Sequence, residues 1–276
     1  MLQVCPSGCP YTTIQSAIDA APAGGGIAIG AGTYAENLTI GKSLVITGAG
    51  AASTIIDGGG QGSVVTVLAG ANVSLQNVTL TNGAAPSGGG VRNLGTLLLS
   101  GNDISNNNAT IAGGGISNEA GAVLTIATGA VVGNTAGNRG GGIANQTGAQ
   151  TTLRDMSIKT NTTSGQGGGL YFSSGALDVK YSSIEANVAA DGGGVSIAGG
   201  VARMSFAHVD ANHVGQRGGG FFIAAGTLSV DNSGITQNGV GVAKGGGAFF
   251  NQRGRVTVQN SLVDQNSSPQ CVNVSC

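Results

Sequence analysis

Lys159, Glu185, His208 and Asp210 are the residues of this 276-residue chain whose types and spacing could do chemistry. Glu185 follows Lys159 by 26 positions, and Asp210 follows Glu185 by 25. In a stacked repeat of that period such residues fall in adjacent layers, roughly 4.8 Å apart. Two carboxylates that close can divide acid and base roles between them. His208 lies two residues before Asp210, hence on the same strand face, and His213 follows the next turn. The expected roles are Asp210 or Glu185 as base, His208 as acid, and Lys159 neutralising a substrate carboxylate. The same residues also read as a solvated strand face, on which a Lys159–Glu185 pair contributes little.

The repeat that would align them is plain. Gly-Gly-Gly triplets begin at Gly88, Gly113, Gly140, Gly167, Gly192, Gly218 and Gly245, in steps of 25, 27, 27, 25, 26 and 27 residues. A period in this range marks a repeat architecture. An apolar residue follows each triplet, then a second glycine, then an alternating stretch such as Leu177-Asp178-Val179 or Val256-Thr257-Val258. Period 2 over a few residues is a strand with one buried face. A third segment ends in asparagine: Asn107, Asn134, Asn161, Asn187, Asn212, Asn238 and Asn266. Each coil of ~26 residues is therefore expected to hold three short strands and three turns, with each strand pairing in parallel one coil along. The asparagines are expected to stack as an amide ladder at a corner, where Asn tolerates left-handed backbone.

This pattern predicts an all-β fold, a single-stranded right-handed parallel β-helix of about ten coils with a short N-terminal capping helix. Residues 1–276 are expected to form one domain: an N-terminal cap over 1–26, irregular coils over 27–87, regular coils over 88–266 and a C-terminal clasp over 267–276. The helix is predicted within Tyr11–Pro22, with Thr12 and Gln15 as a capping box, Ile14 and Ile18 on one face, and Pro22 as its stop. Its task would be to cover the open first coil.

A second column precedes the triplets: Ser87, Ala112, Arg139, Gln166, Asp191, Arg217 and Lys244. Arg139, Asp191, Arg217 and Lys244 could grip an anionic glycan running along the stack; equally, corner residues are simply exposed. Tyr171, Phe222 and Phe249 are expected in one column and Phe172 and Phe250 in the next. One set would stack in the core and the other could form a sugar-stacking strip.

Composition narrows the function. Only 8% of residues are charged and the net charge is −1, which leaves no electrostatic basis for binding nucleic acid. No apolar run is long enough to span a membrane. The 53 glycines are periodic and 40% of residues are apolar, enough for a long, thin core. The triplets lack the Lys-Ser/Thr and helix of a phosphate loop, no Asp recurs after them as in a calcium-binding β-roll, and neither metal nor cofactor is implied. Cys5 and Cys9 lie at one end, Cys271 and Cys276 at the other. They read as separate disulfide clasps and an oxidising compartment, with free thiols as the alternative. Met1-Leu2-Gln3-Val4 lacks the features of a signal peptide. Either a leader has been removed or the chain is one module of a larger protein.

The segments YTTIQSAIDAAP, GTYAEN and SLVITGAGAASTIIDG, with the triplet coils, resemble secreted bacterial right-handed β-helix repeat proteins of the pectin-lyase-like superfamily. The resemblance implies secretion or surface display and a polysaccharide or cell-surface glycan as partner. The opening is most similar to pectin methylesterases, yet their Gly-x-x-Asp-Phe-Ile-Phe-Gly segment and Trp-containing arginine motif are absent. The polygalacturonase motifs Asn-Thr-Asp, Asp-Asp, Gly-His-Gly and Arg-Ile-Lys, and the pectate-lyase Arg-x-Pro-x-x-Arg strand, are absent too. The chain therefore reads first as a structural, adhesive or glycan-binding module. The alternative is a polysaccharide lyase or glycoside hydrolase acting on an acidic polysaccharide at Glu185, His208 and Asp210. A flat Thr ladder for ice binding is missing, because Thr is scattered among columns.

Overall fold

In the computed structural model, residues 1–242 and 245–276 are described; Lys244 lies outside them. The chain is a parallel β-solenoid of about ten coils with one short helix. The later regular coils contain four short strands, for example Leu170–Phe172, Ala176–Lys180, Ser183–Glu185 and Val188–Asp191; in three earlier coils the second and third run together as Thr96–Ser105, Val123–Val132 and Gln150–Lys159. They build three sheets of 18, 10 and 7 strands. The second and third strands of a coil share the 18-stranded sheet, which is folded along a line of residues with positive φ. The fourth strand, after the ladder asparagine, was not expected. It is as short as Thr135–Ala136 or Thr162–Thr163, too short to show alternation.

Register is strict because a slip of one residue would turn every apolar side chain outward. Leu177 pairs with Ala202, Ala202 with Leu228, and Leu228 with Val256. Leu170, Phe172, Leu177, Val179 and Ile184 of one coil are buried in the common core. The triplets are glycine for two reasons. Gly113 has φ 66°, and a Cβ on Gly114 would sit 2.4 Å from the carbonyl oxygens of Gly141 and Thr135. In the last coil the same place is taken by Gly246-Gly247-Ala248. The amide of Gly218 bonds to Gly245 O, the positive φ moves to Gly246, and Phe221 pairs with Phe249.

That shift corrects the expected aromatic columns. Tyr171 shares its column with Phe222 and Phe250, Phe221 stacks on Phe249 in the core with centroids 4.9 Å apart, and Phe172 continues into Ile197 and Ile223.

The asparagine column is buried from Asn107 to Asn238 and reaches Asn266. From Asn134 on, each Oδ1 accepts from the backbone and side-chain amides of the asparagine one coil back, as Asn187 does from Asn161 at 2.9 and 3.0 Å, while Asn107 accepts from the Gly83 amide. The left-handed residue is the one before each asparagine: Asn106, Gly133, Thr160, Ala186, Ala211, Gln237 and Gln265. A second, shorter amide ladder joins Asn93, Asn118 and Asn145 inside the 10-stranded sheet. Its signal was the Asn five places after the first glycine of a triplet.

At the N-terminus the helix runs Ile14–Ala20, with Thr13 as N-cap, one residue later than expected. The carboxylate of Glu36, from the next coil, accepts the amides of Ile14 and Gln15 at 2.7 and 2.9 Å. Gln15 bonds to Asp19 and Thr39, so it does not close a capping box. Ile14, Ala17 and Ile18 close the end of the core. Residues 1–26 are more than a cap, since Leu2–Val4 pairs with Ile27–Ile29 as a rung. At the other end Cys271 and Val272 pair with Phe249 and Phe250. Cys5–Cys9 and Cys271–Cys276 are disulfides with Cα separations of 5.5 and 6.4 Å. No described helix is long and apolar enough to cross a membrane.

Candidate functional site

The third strand of each coil carries the acid–base candidates on one column. Lys159 pairs with Glu185, Glu185 with Asp210, Asp210 with Thr236, and Thr236 with Asp264. Strand spacing puts neighbours about 4.8 Å apart at the backbone. Lys159 and His208 are exposed, and Glu185 and Asp210 are half-buried. Ser183 donates to Glu185 Oε1 and Thr236 to Asp210 Oδ1, so each carboxylate is oriented by a hydroxyl and keeps its second oxygen for other partners. The salt bridges of the described residues are Arg92–Glu119, Lys180–Asp178 and Arg217–Asp191. Lys159 is not tied to Glu185 and is open to a ligand. His208 pairs with Ser183 and Gly234 beside this column. His213 lies past the Asn212 corner on the 7-stranded sheet, where it pairs with Val188 and Gly239. It does not join the group.

The second proposed column is committed internally. The Arg217 fork donates to Asp191 at 2.9 and 2.8 Å, and its guanidinium lies 4.5 Å from the Phe222 ring centroid. The hydrogen bond to Asp191 raises the Arg217 pKa further above its ordinary range, against the opposing effect of burial. Asp191 is buried, so the pair has little left for a glycan. Arg139 lies over Tyr171 at 5.1 Å, and thus the Tyr171–Phe222–Phe250 column is roofed by arginines and is not a bare stacking strip. The position in register with Arg217 is Gly245, through the shift described above.

Sequence reasoning missed the exposed aromatics beside His208. Six residues before each ladder asparagine stand Gly101, Thr128, Asp155, Tyr181, Phe206, Asn232 and Asn260, and every one has positive φ. This is the line along which the large sheet folds. Asn and Asp fit that backbone; an aromatic there is an outlier and costs on the order of 1–3 kcal/mol. Tyr181 and Phe206 are nonetheless 50% and 48% exposed, and they stack at 5.2 Å with planes 17° apart. Arg154 covers the outer side of Tyr181 at 5.6 Å. The signal was available: two aromatics interrupt a column otherwise held by small or turn-forming residues.

Next to Phe206 lies an open depression of about 590 Å³, bordered by His208, Gly234, Thr236, Asn232, Asn260 and Leu262. Gly234 interrupts the outward column between His208 and Leu262. His208 leans over it, since a Cβ on Gly234 would lie 3.0 Å from His208 Nδ1. Among the described residues no cluster of His, Cys, Asp and Glu is arranged to hold a metal ion.

The fold is shared with solved pectin methylesterases. The carrot enzyme is 13% identical over 93% of this chain and 88% of its own, with TM-score 0.53. The Aspergillus niger enzyme is 14% identical over 100% of this chain and 90% of its own, with TM-score 0.50. No family model matches the chain, and no curated protein matches it.

Proposed function

We propose that this chain is a carbohydrate-active β-helix that binds an acidic polysaccharide along the Lys159–Asp264 column and cleaves it there. The observation behind this reading is the rung-by-rung stack of Lys159, Glu185 and Asp210, with His208 beside it. A cation and two carboxylates face solvent in a line parallel to the axis, the direction a bound polymer would follow. The neighbours in fold are pectin enzymes by name, which favours a carbohydrate substrate over an adhesive or spacer role. The chemistry is not carried over from them, because their Asp-Phe segment is absent.

In this scheme Lys159 pairs with a sugar carboxylate and draws charge from the carbon next to it. The free oxygen of Asp210, or of Glu185, takes the proton from that carbon. The electron pair left on that carbon forms a C=C bond as the neighbouring glycosidic C–O bond breaks, and His208 gives a proton to the departing oxygen. A positioned acid–base pair contributes about 10²–10⁴-fold. The two disulfides support an oxidising compartment, and with it secretion or surface display.

A second reading is favoured by one observation: the depression beside His208 is not lined by Glu185 or Asp210. On a flat face the same groups would hold a glycan without turnover, as an adhesive or binding module.

The test incubates wild type, Asp210→Asn and Glu185→Gln with uronic-acid polysaccharides and a neutral glucan, following unsaturated uronide absorbance and reducing ends. Cleavage of a uronic-acid polymer that falls by about 10² or more in either variant supports the proposal. Binding without new chain ends establishes the second reading, and absence of both binding and cleavage overturns the two together.

A further inference from the structure

We infer that the depression between Phe206 and Leu262 is a subsite for one uncharged pyranose ring, stacked on Phe206; this rests on the polysaccharide reading above. One face of Phe206 is covered by Tyr181, whose own far side carries Arg154. On the next rung the aromatic column gives way to Asn232 and then Asn260. The stack therefore ends on an aromatic face turned toward the depression. Apolar C–H faces of a pyranose are suited to such a surface, as planar rings are to one another.

The dimensions suit a single ring. His208 and Leu262 stand two rungs apart with Gly234 between them, about 10 Å along the axis. A ring in van der Waals contact on both sides needs about 3.5–4.0 Å each way. Leu262, 60% exposed, supplies the opposite apolar wall, and the imidazole of His208 over Gly234 supplies the floor.

Polar groups at the rim match sugar hydroxyls and disfavour a carboxylate. Asn232 and Asn260 both donate their side-chain amides to Asp231, at 2.8 and 2.9 Å. No described hydrogen bond ends on their Oδ1 atoms, which leaves those oxygens to accept hydroxyls. The surrounding charges are acidic: Asp231 behind the asparagines, Asp210 bonded to Thr236, and Asp264 two residues beyond Leu262. His208 is the one titratable base on the border. Like charge opposes a uronate here, whereas Lys159 welcomes one three rungs earlier along the neighbouring column. The polymer that satisfies both places an uncharged residue a short distance from a charged one.

The experiment titrates the full chain with neutral hexaoses of glucose, mannose and galactose and with a hexauronate, using calorimetry and ring-proton shifts of Tyr181. Two variants accompany it. Phe206→Asn installs the residue that Asn232 and Asn260 already use at this backbone conformation. Gly234→Leu fills the gap at a strand position and pushes aside the His208 imidazole that lies over it. A neutral hexaose should bind wild type, and both variants should weaken it at least about tenfold, which is 1.4 kcal/mol. Phe206→Asn should leave the melting temperature level or raise it, a result that a merely structural role for the aromatic would reverse. Absence of neutral-sugar binding, unchanged affinity in both variants, or tighter binding of the hexauronate in a manner lost in Phe206→Asn would overturn the subsite. These outcomes are separate from loss of cleavage in Asp210→Asn. A subsite that fails while cleavage persists leaves the proposed function standing, and neutral binding without cleavage does the reverse.

Discussion

Asn187→Ala should be among the most damaging single substitutions in the chain. The side chain is fully buried. Its Oδ1 accepts from Asn161 N and Asn161 Nδ2 at 2.9 and 3.0 Å, and its Nδ2 donates to Ile158 O and Asn212 Oδ1 at 3.0 Å each. Alanine removes these four bonds and leaves their partners without water to replace them. At about 1 kcal/mol net per bond the loss is about 4 kcal/mol, at the upper end of what point mutations do. Asn266→Ala removes a similar set from the last, half-exposed rung, where solvent can substitute, so it should cost about 1 kcal/mol. Guanidinium unfolding followed by circular dichroism measures both. Because a solenoid is held by nearest-neighbour terms, Asn187→Ala should also divide the transition into two steps and speed hydrogen exchange at the amide of Asn161. A cost below about 1 kcal/mol, with that amide still protected, would refute the ladder as a source of stability.

Glu36→Ala should unseat the helix at the N-terminal end, because it strips two charge-assisted bonds from the amides of Ile14 and Gln15. A loss of about 2–3 kcal/mol and aggregation visible by light scattering are expected once the first rung is bared. Tyr34 donates to Gly30 O at 2.9 Å, and burial, then the charge of Glu36, raise its pKa above the ordinary 10.0. Above pH 10.0 the unfolded chain thus holds fewer protons than the folded one. The stability present in full below that pH is lost as pH rises through the folded value. The melting temperature of wild type should fall more steeply above pH 10.0 than that of Tyr34→Phe; parallel curves would refute the assignment.

The coil, its period and its asparagine column were legible because glycine and asparagine recur where a backbone approach or an amide bond demands them. Part of what escaped had no such chemical marker. The fourth strand is held by the coils around it, and pairs as short as Thr135–Ala136 carry no periodicity of their own. The last triplet misled because the site is defined by a positive φ and a close approach, which Gly246-Gly247 meet, and not by the first glycine in the run. That single-residue slip displaced Phe249 and Phe250 by one column. The Lys159, Glu185 and Asp210 stack followed directly from the period, since register alone places it. Tyr181 and Phe206 were overlooked because aromatic residues read as core, although they interrupt a column of small and turn-forming residues whose positive φ puts it at a fold line turned outward.

The two amide ladders and the interstrand backbone bonds run parallel to the long axis, whereas the covalent chain winds across it. Tension applied between the ends would therefore load hydrogen bonds in series, one rung at a time, and not shear a whole sheet together. The chain should pay out coil by coil from whichever end yields. Each coil released would lengthen it by about 90 Å while giving up about 5 Å of stack. Because each coil is held only by its neighbours, the stack should be compliant in extension, and a released coil should find its template on the rungs that remain.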